Sequence, residues 1–282
     1  MVDMDQLLAI WKKTCEARAF ELNVIRAHKA KKLAPAPFYL SVGQEHISAI
    51  ASEIFGDWAL FPQHRCHSWY LSFGGDPGKL IDELMGLPTG CAGGMGGSAS
   101  LHSPENKIFG HSGLLGDQIP IATGYALGKQ KPTIVVLGDA AAEEDYALAS
   151  MGFAVSKRLP ILYLVEDNNL SILTKVEVRR KWGIVDAARG IGLRAIDLRD
   201  DALMLRNTFD NLCSMSQALP ALINIRTCRH HWHAGPGQDG PPEWNAYEDF
   251  RRALSLRGID EIQTIEQTAI AKITKLWDEK LG

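Results

Sequence analysis

At 282 residues the chain can bury a large core, and one α/β domain of this size is ordinary. Lys and Arg number 30 against 33 Asp and Glu, a formal net charge of −3, which removes the basic field that nucleic acid or an anionic membrane surface calls for. There is no signal-peptide core, no long apolar span, and the five cysteines form no C-x-x-C pair, so a cytoplasmic protein with reduced thiols is expected.

Leu7, Leu8, Trp11 and Phe20 recur at helical spacing and predict one long amphipathic helix over about 4–30, ended by Pro35 and Pro37. Residues 38–45 lead into a second helix through Ile54, and a short strand over 58–61 follows. In His64-Arg65-Cys66-His67 a guanidinium flanked by imidazoles suits a phosphate, although four such residues also make an ordinary solvated cluster. Asp76 and Pro77 read as N-cap and first position of a helix through Met85. The glycines of 90–97 allow mobility or close approach, but neither a P-loop nor a G-x-G-x-x-G after a strand is present. Residues 113–124 enter an Ala- and Gly-rich helix, small enough to pack tightly on a neighbour.

The centre of the chain carries the strongest signal. An apolar run over 133–137 stops at Gly138-Asp139, a helical segment covers about 142–157, and a second run over 160–165 ends in Glu166-Asp167-Asn168-Asn169. This reads as strand–helix–strand in a parallel sheet, which places Asp139 and Asn168 on one edge although 29 positions separate them. A carboxylate and an amide oxygen there can hold Mg²⁺ shared with phosphates. Taken singly, each motif is a helix cap or a turn. Beyond it, helices are expected over 182–191, 201–216, 247–256 and 261–280, and strands over 194–197 and 221–225. His230, His231 and His233 sit too close together in an extended segment to converge on one zinc ion.

Gly138-Asp139-Ala140 with Asp167-Asn168-Asn169 resembles the thiamine diphosphate (ThDP) motif, Gly-Asp-Gly followed by Asn-Asn. Tyr39 to Glu45 resembles an H-x-x-x-G-Q-E segment, His64 to His67 a Tyr-Arg-x-His, the glycine run through Ser98 and His102 a GxGGSxH, and Arg229 with His233 an Arg-x-x-x-His. In this order the motifs are similar to those of the alpha subunits of heterotetrameric ThDP-dependent 2-oxo acid dehydrogenases of the pyruvate, acetoin and branched-chain type. The resemblance runs from the first helix to the last. It implies a single ThDP diphosphate-binding domain over 1–282, α/β, with a parallel central sheet flanked by helices, an N-terminal helical arm and C-terminal helices.

It further implies ThDP with Mg²⁺ held by Asp139, Asn168 and the Leu170 carbonyl. His64, Arg65, Ala140, Ala141 and His233 would face the diphosphate, and the backbone at Gly113 and Leu115 the aminopyrimidine. His233, on an active-site loop, and His67 would be the catalytic residues. The glutamate that handles the aminopyrimidine proton comes in this family from a beta-type subunit, so an α2β2 assembly acting on a small 2-oxo acid is expected, with no activity for this chain alone. Four departures bear on that. Ala140 stands for the third glycine, Asp167 for the first Asn, Ala234 for the regulatory serine, and Tyr39 and His64 exchange residue types in the substrate pocket. A split transketolase-like half and a catalytically silent regulatory homologue are the competing readings.

Overall fold

The computed structural model describes residues 4–215, 218–238 and 240–282. In chain order the elements are α1 (Met4–Lys29), α2 (Glu45–Phe55), β1 (Ala59–Phe61), α3 (His67–Ser72), α4 (Pro77–Leu84), α5 (Gln118–Lys129), β2 (Thr133–Gly138), α6 (Asp145–Lys157) and β3 (Ile161–Asp167). There follow a small hairpin of β4 (Leu170–Ser171) and β5 (Thr174–Lys175), then α7 (Val176–Arg179), α8 (Ile184–Ile191), β6 (Arg194–Arg199), α9 (Ala202–Ser214), β7 (Ala221–Arg226), α10 (Ala246–Ser255) and α11 (Ile262–Leu281).

Five strands form one sheet in the order β1-β2-β3-β7-β6, every pair parallel. The interior strands β2 and β3 are buried on both faces, as a parallel sheet between helical layers requires, whereas the edge strand β6 buries only Ala195 and Leu198. One core, centred on Trp11, Phe20, Trp69 and Trp277, lies between the sheet and the layer built from α1, α2, α3, α9 and α11. The other, around Ile119, Met151, Tyr163 and Val165, joins the opposite face to α5, α6 and α8. Because the strands run one way, β2, β3 and β7 all end on the same edge. There Gly138 is in register with Glu166, and Glu166 with Ile225.

Boundaries moved where local chemistry decided them. The helix expected from 142 begins at Asp145, after a 3-10 turn at Ala141–Glu143. The one expected from 182 begins at Ile184, because Gly183 is still extended. Asp76 does cap α4, its carboxylate accepting from the amides of Gly78 at 2.7 Å and Lys79 at 3.3 Å. The end expected for α9 at Ser216 lies outside the described residues.

On the outside of α5, Ile121 and Leu127 are 56 % and 41 % exposed, and Gly124 and Gly128 lie bare between them. Leu114 and Leu115, just before that helix, are exposed as well. Among the described residues no helix is long and apolar enough to cross a membrane.

Candidate cofactor site

Asp139 follows the last residue of β2 and Asn168 the last of β3, and these strands are direct neighbours. Both side chains line one cavity of about 50 Å³, together with His64, Arg65, Leu115, Ala140, Ala141, Leu170 and His233. That brings together nine of the residues picked out by the motifs. On the far side of Asn168 and Leu170 lies a wider cleft of about 660 Å³, walled by the ends of β3, β7 and β6 and by Trp244.

Asp139 is almost fully buried. Burial raises its carboxyl, the neighbouring charge of Asp167 adds to the rise, and a hydrogen bond from Arg179 opposes it. Asn168 accepts from the amide of Leu170 at 3.2 Å and donates to Gln44 at 3.4 Å, so the segment before α2 reaches the end of β3. Arg65 is buried and donates to the carbonyls of Leu40, at 2.7 Å, and His233, at 3.3 Å. Burial pulls its guanidinium down to about 10, helped by Arg229, yet it stays charged at neutral pH.

Tyr39 stands edge-on to both His64 and His233, with ring centroids 4.8 and 5.3 Å apart, and the two imidazoles are 5.2 Å from each other. Burial, then Arg65, holds His64 well below the usual imidazole range; burial, Arg65 and Arg229 bring His233 to about 4. Both rings are therefore neutral donors or acceptors rather than cations.

The donor set fits a magnesium diphosphate. A carboxylate, an amide oxygen and a backbone carbonyl are hard oxygen ligands, and Arg65 supplies the facing positive charge. The buried atoms His64 Nε2 and Gln118 Oε1 have no partner among the described residues, and both side chains line the cavity. A ligand with its own donors and acceptors would satisfy them.

Ala140 does not strain the backbone. Its φ is −75° and its ψ −37°, so this position makes no demand for glycine. The Asp167 carboxylate accepts from the Asn169 amide at 2.9 Å and from Asn224 at 3.3 Å, which makes it a turn-former as well as a charge near Asp139.

Gly113 lies between the lining residues His111 and Leu115, its amide donating to His111 Nδ1 at 2.8 Å, while the Leu115 carbonyl is taken by the Tyr146 hydroxyl. One expected site residue is placed elsewhere. His67 is fully buried and does not reach the cavity. Its Nδ1 meets Glu21 at 2.9 Å and its Nε2 meets Ser98 Oγ at 2.6 Å. The Glu21 carboxylate can only accept, so His67 donates to it from Nδ1, and Ser98 Oγ also accepts from the Tyr39 amide at 2.8 Å. The expected catalytic imidazole is thus a buried link that ties α1 to the base of Tyr39. Spacing could not show this, because Glu21 and Ser98 are remote in sequence. His111, Gln118 and Arg179 join the site without any motif to announce them.

Residues 13–235 match the model of the family described as dehydrogenase E1 component. The chain belongs to the dehydrogenase E1 component family. Within it, the alpha-type proteins are similar. The pyruvate dehydrogenase E1 component subunit alpha of Rickettsia bellii (strain RML369-C) is 26 % identical over 239 residues, covering 80 % of this chain and 72 % of that protein. The mitochondrial pyruvate dehydrogenase E1 component subunit alpha of Schizosaccharomyces pombe is 31 % identical over 245 residues, 83 % of this chain and 58 % of that one. In shape, this E1 component superposes on a transketolase from Leishmania mexicana with a TM-score of 0.62 at 16 % identity, over 96 % of this chain and 46 % of that one. It spans about half the length of the transketolase chains it matches, and the likeness is one of fold. The parallel α/β sheet expected from the motif order is the fold observed, and the chain is an alpha-type subunit of the ThDP-dependent 2-oxo acid dehydrogenases.

Proposed function

We propose that this chain binds the ThDP diphosphate through Mg²⁺, as the alpha-type subunit of an enzyme that decarboxylates a small 2-oxo acid and passes on the acyl or aldehyde unit. The observation that carries the reading is the meeting of Asp139 and Asn168 at adjacent strand ends, in one cavity with Arg65, His64 and His233. Asp139, Asn168 and the Leu170 carbonyl would hold the cation. Arg65 would balance the phosphate charge, and the neutral imidazoles of His64 and His233 would hydrogen-bond its oxygens. When bound, ThDP supplies a nucleophilic carbon and an electron sink for the pair left behind as CO₂ departs. The protein's share is position and fixed charge in a site shielded from water. His67 serves here as a positioning residue for Tyr39 and not as a proton donor to substrate.

Arg65, His64 and His233 would hold only the diphosphate end; a beta-type partner would supply the other wall of the site together with the glutamate, in an α2β2 assembly. The test is co-expression with the beta-type subunit, followed by thermal unfolding with and without ThDP and Mg²⁺ and by CO₂ release from a 2-oxo acid panel. Stabilisation by the pair of ligands, lost in Asp139→Asn, is expected. No shift in the complex would overturn the reading and favour a silent regulatory subunit. A shift with ketol transfer but no CO₂ would favour the transketolase-like alternative.

A further inference from the structure

Arg179 closes α7, the four-residue helix that follows the β4–β5 hairpin, and its side chain is only 14 % exposed. All three of its guanidinium nitrogens are engaged. Nη2 donates to Asp139 Oδ2 at 2.5 Å and to Glu143 Oε1 at 2.9 Å. Nε lies 3.2 and 3.3 Å from the two Glu143 oxygens, and Nη1 donates to the Thr174 carbonyl. One rigid fork therefore joins the end of β2, the turn after it, and the hairpin. That hairpin begins at Leu170, with only Asn169 between it and Asn168. Arg179 is absent from the cavity lining, whereas Asp139 and residues 170–172 are in it. The fork consequently holds Asp139 from outside the cavity.

Its charge is shared. Arg180 Nε also meets Glu143 Oε1 at 2.9 Å, so two arginines and two carboxylates balance, and Asp139 is not the sole counter-ion of Arg179. Arg229 donates to the Ile172 carbonyl at 2.6 Å and holds the hairpin at its turn.

Resting on the cofactor reading above, we propose that Arg179 is a positioning residue that clasps the two halves of the cation site, fixing Asp139 against the hairpin that carries Leu170. Nothing in the motif pattern assigns it this task. Removing the clasp leaves each ligand in place but frees their relative position. Loss of a partner that orients a metal ligand typically costs ~10- to 100-fold in metal affinity. Lysine keeps the charge but can reach one partner at a time, so it restores part of the effect.

The experiment uses the full chain with its beta-type partner. Mn²⁺ binding in the presence of ThDP is followed by paramagnetic resonance, and hydrogen exchange over 168–178 is measured without cofactor, for wild type, Arg179→Met and Arg179→Lys. Expected are a Mn²⁺ affinity lower by ~10-fold or more in Arg179→Met, an intermediate value in Arg179→Lys, and faster exchange in the hairpin of both. Unchanged or tighter Mn²⁺ binding by Arg179→Met overturns the proposal, the tighter result making Arg179 a competitor of the cation. If wild type itself binds no Mn²⁺ with ThDP, the cofactor reading has failed, and unchanged exchange over 168–178 then removes the clasp separately.

Discussion

His233 illustrates what burial beside arginines does to a group that a motif marks as catalytic. The unfolded chain protonates it near pH 6.5, whereas in the folded protein it takes up its proton only at about 4. Between those values the unfolded state binds more protons, so the stability this ring contributes is complete above pH 6.5 and is lost as pH falls through the window. At ~1.4 kcal/mol per unit, and with a ring only partly buried, the effect is on the order of 2 kcal/mol. Urea unfolding at pH 7 and pH 5 should therefore show a smaller loss of stability in His233→Asn than in wild type, by about 1–2 kcal/mol. Equal losses would mean the ring titrates normally. The cavity residues themselves were legible in sequence, because Gly-Asp and Asn sit at strand ends whose neighbourhood the strand–helix–strand pattern dictates. The role of His67 was not, since Glu21 and Ser98 reach it from other elements. At Ala140 the residue type is visible in sequence but the backbone φ is not.

Among the elements, the glycine run over 90–97 is organised by a carboxylate outside it. Glu83, near the end of α4 and buried, accepts from the amides of Ala92 and Gly94 with one oxygen and Gly96 and Gly97 with the other, at 2.7–2.9 Å. A carboxylate serving four amides is worth more than four neutral bonds, and halving its acceptor capacity strands half-buried donors. Glu83→Gln should destabilise the chain by roughly 2–4 kcal/mol and speed hydrogen exchange across 90–97 while α4 stays protected. A loss below 0.5 kcal/mol, about the scale of a plain surface change, would show that the loop supports itself. In sequence this stretch announced only that it was irregular. The long elements were readable from apolar periodicity. The β4–β5 hairpin and α3 were not, being too short for any period and held by contacts such as Arg229 with Ile172.

At the scale of the whole molecule, the sheet and its two cores follow from strand and helix patterns. The small cavity and the uncovered side of α5 depend on what lies outside the chain. Ile121 and Leu127 flank a bare glycine surface, beside exposed Leu114 and Leu115 near the cavity. Exposed apolar side chains grouped in this way are what a contact with another polypeptide would cover. Ile121→Asp with Leu127→Asp is expected to abolish co-purification with the beta-type subunit while the melting temperature of the isolated chain shifts little. Retained co-purification would place the partner elsewhere. The same surface carries a cost for the cell. A copy synthesised without a mate leaves a greasy, glycine-smooth flank open to any similar flank it meets, including that of its own siblings. Surplus production of this polypeptide should thus end in clumping or turnover wherever no other protein covers that flank.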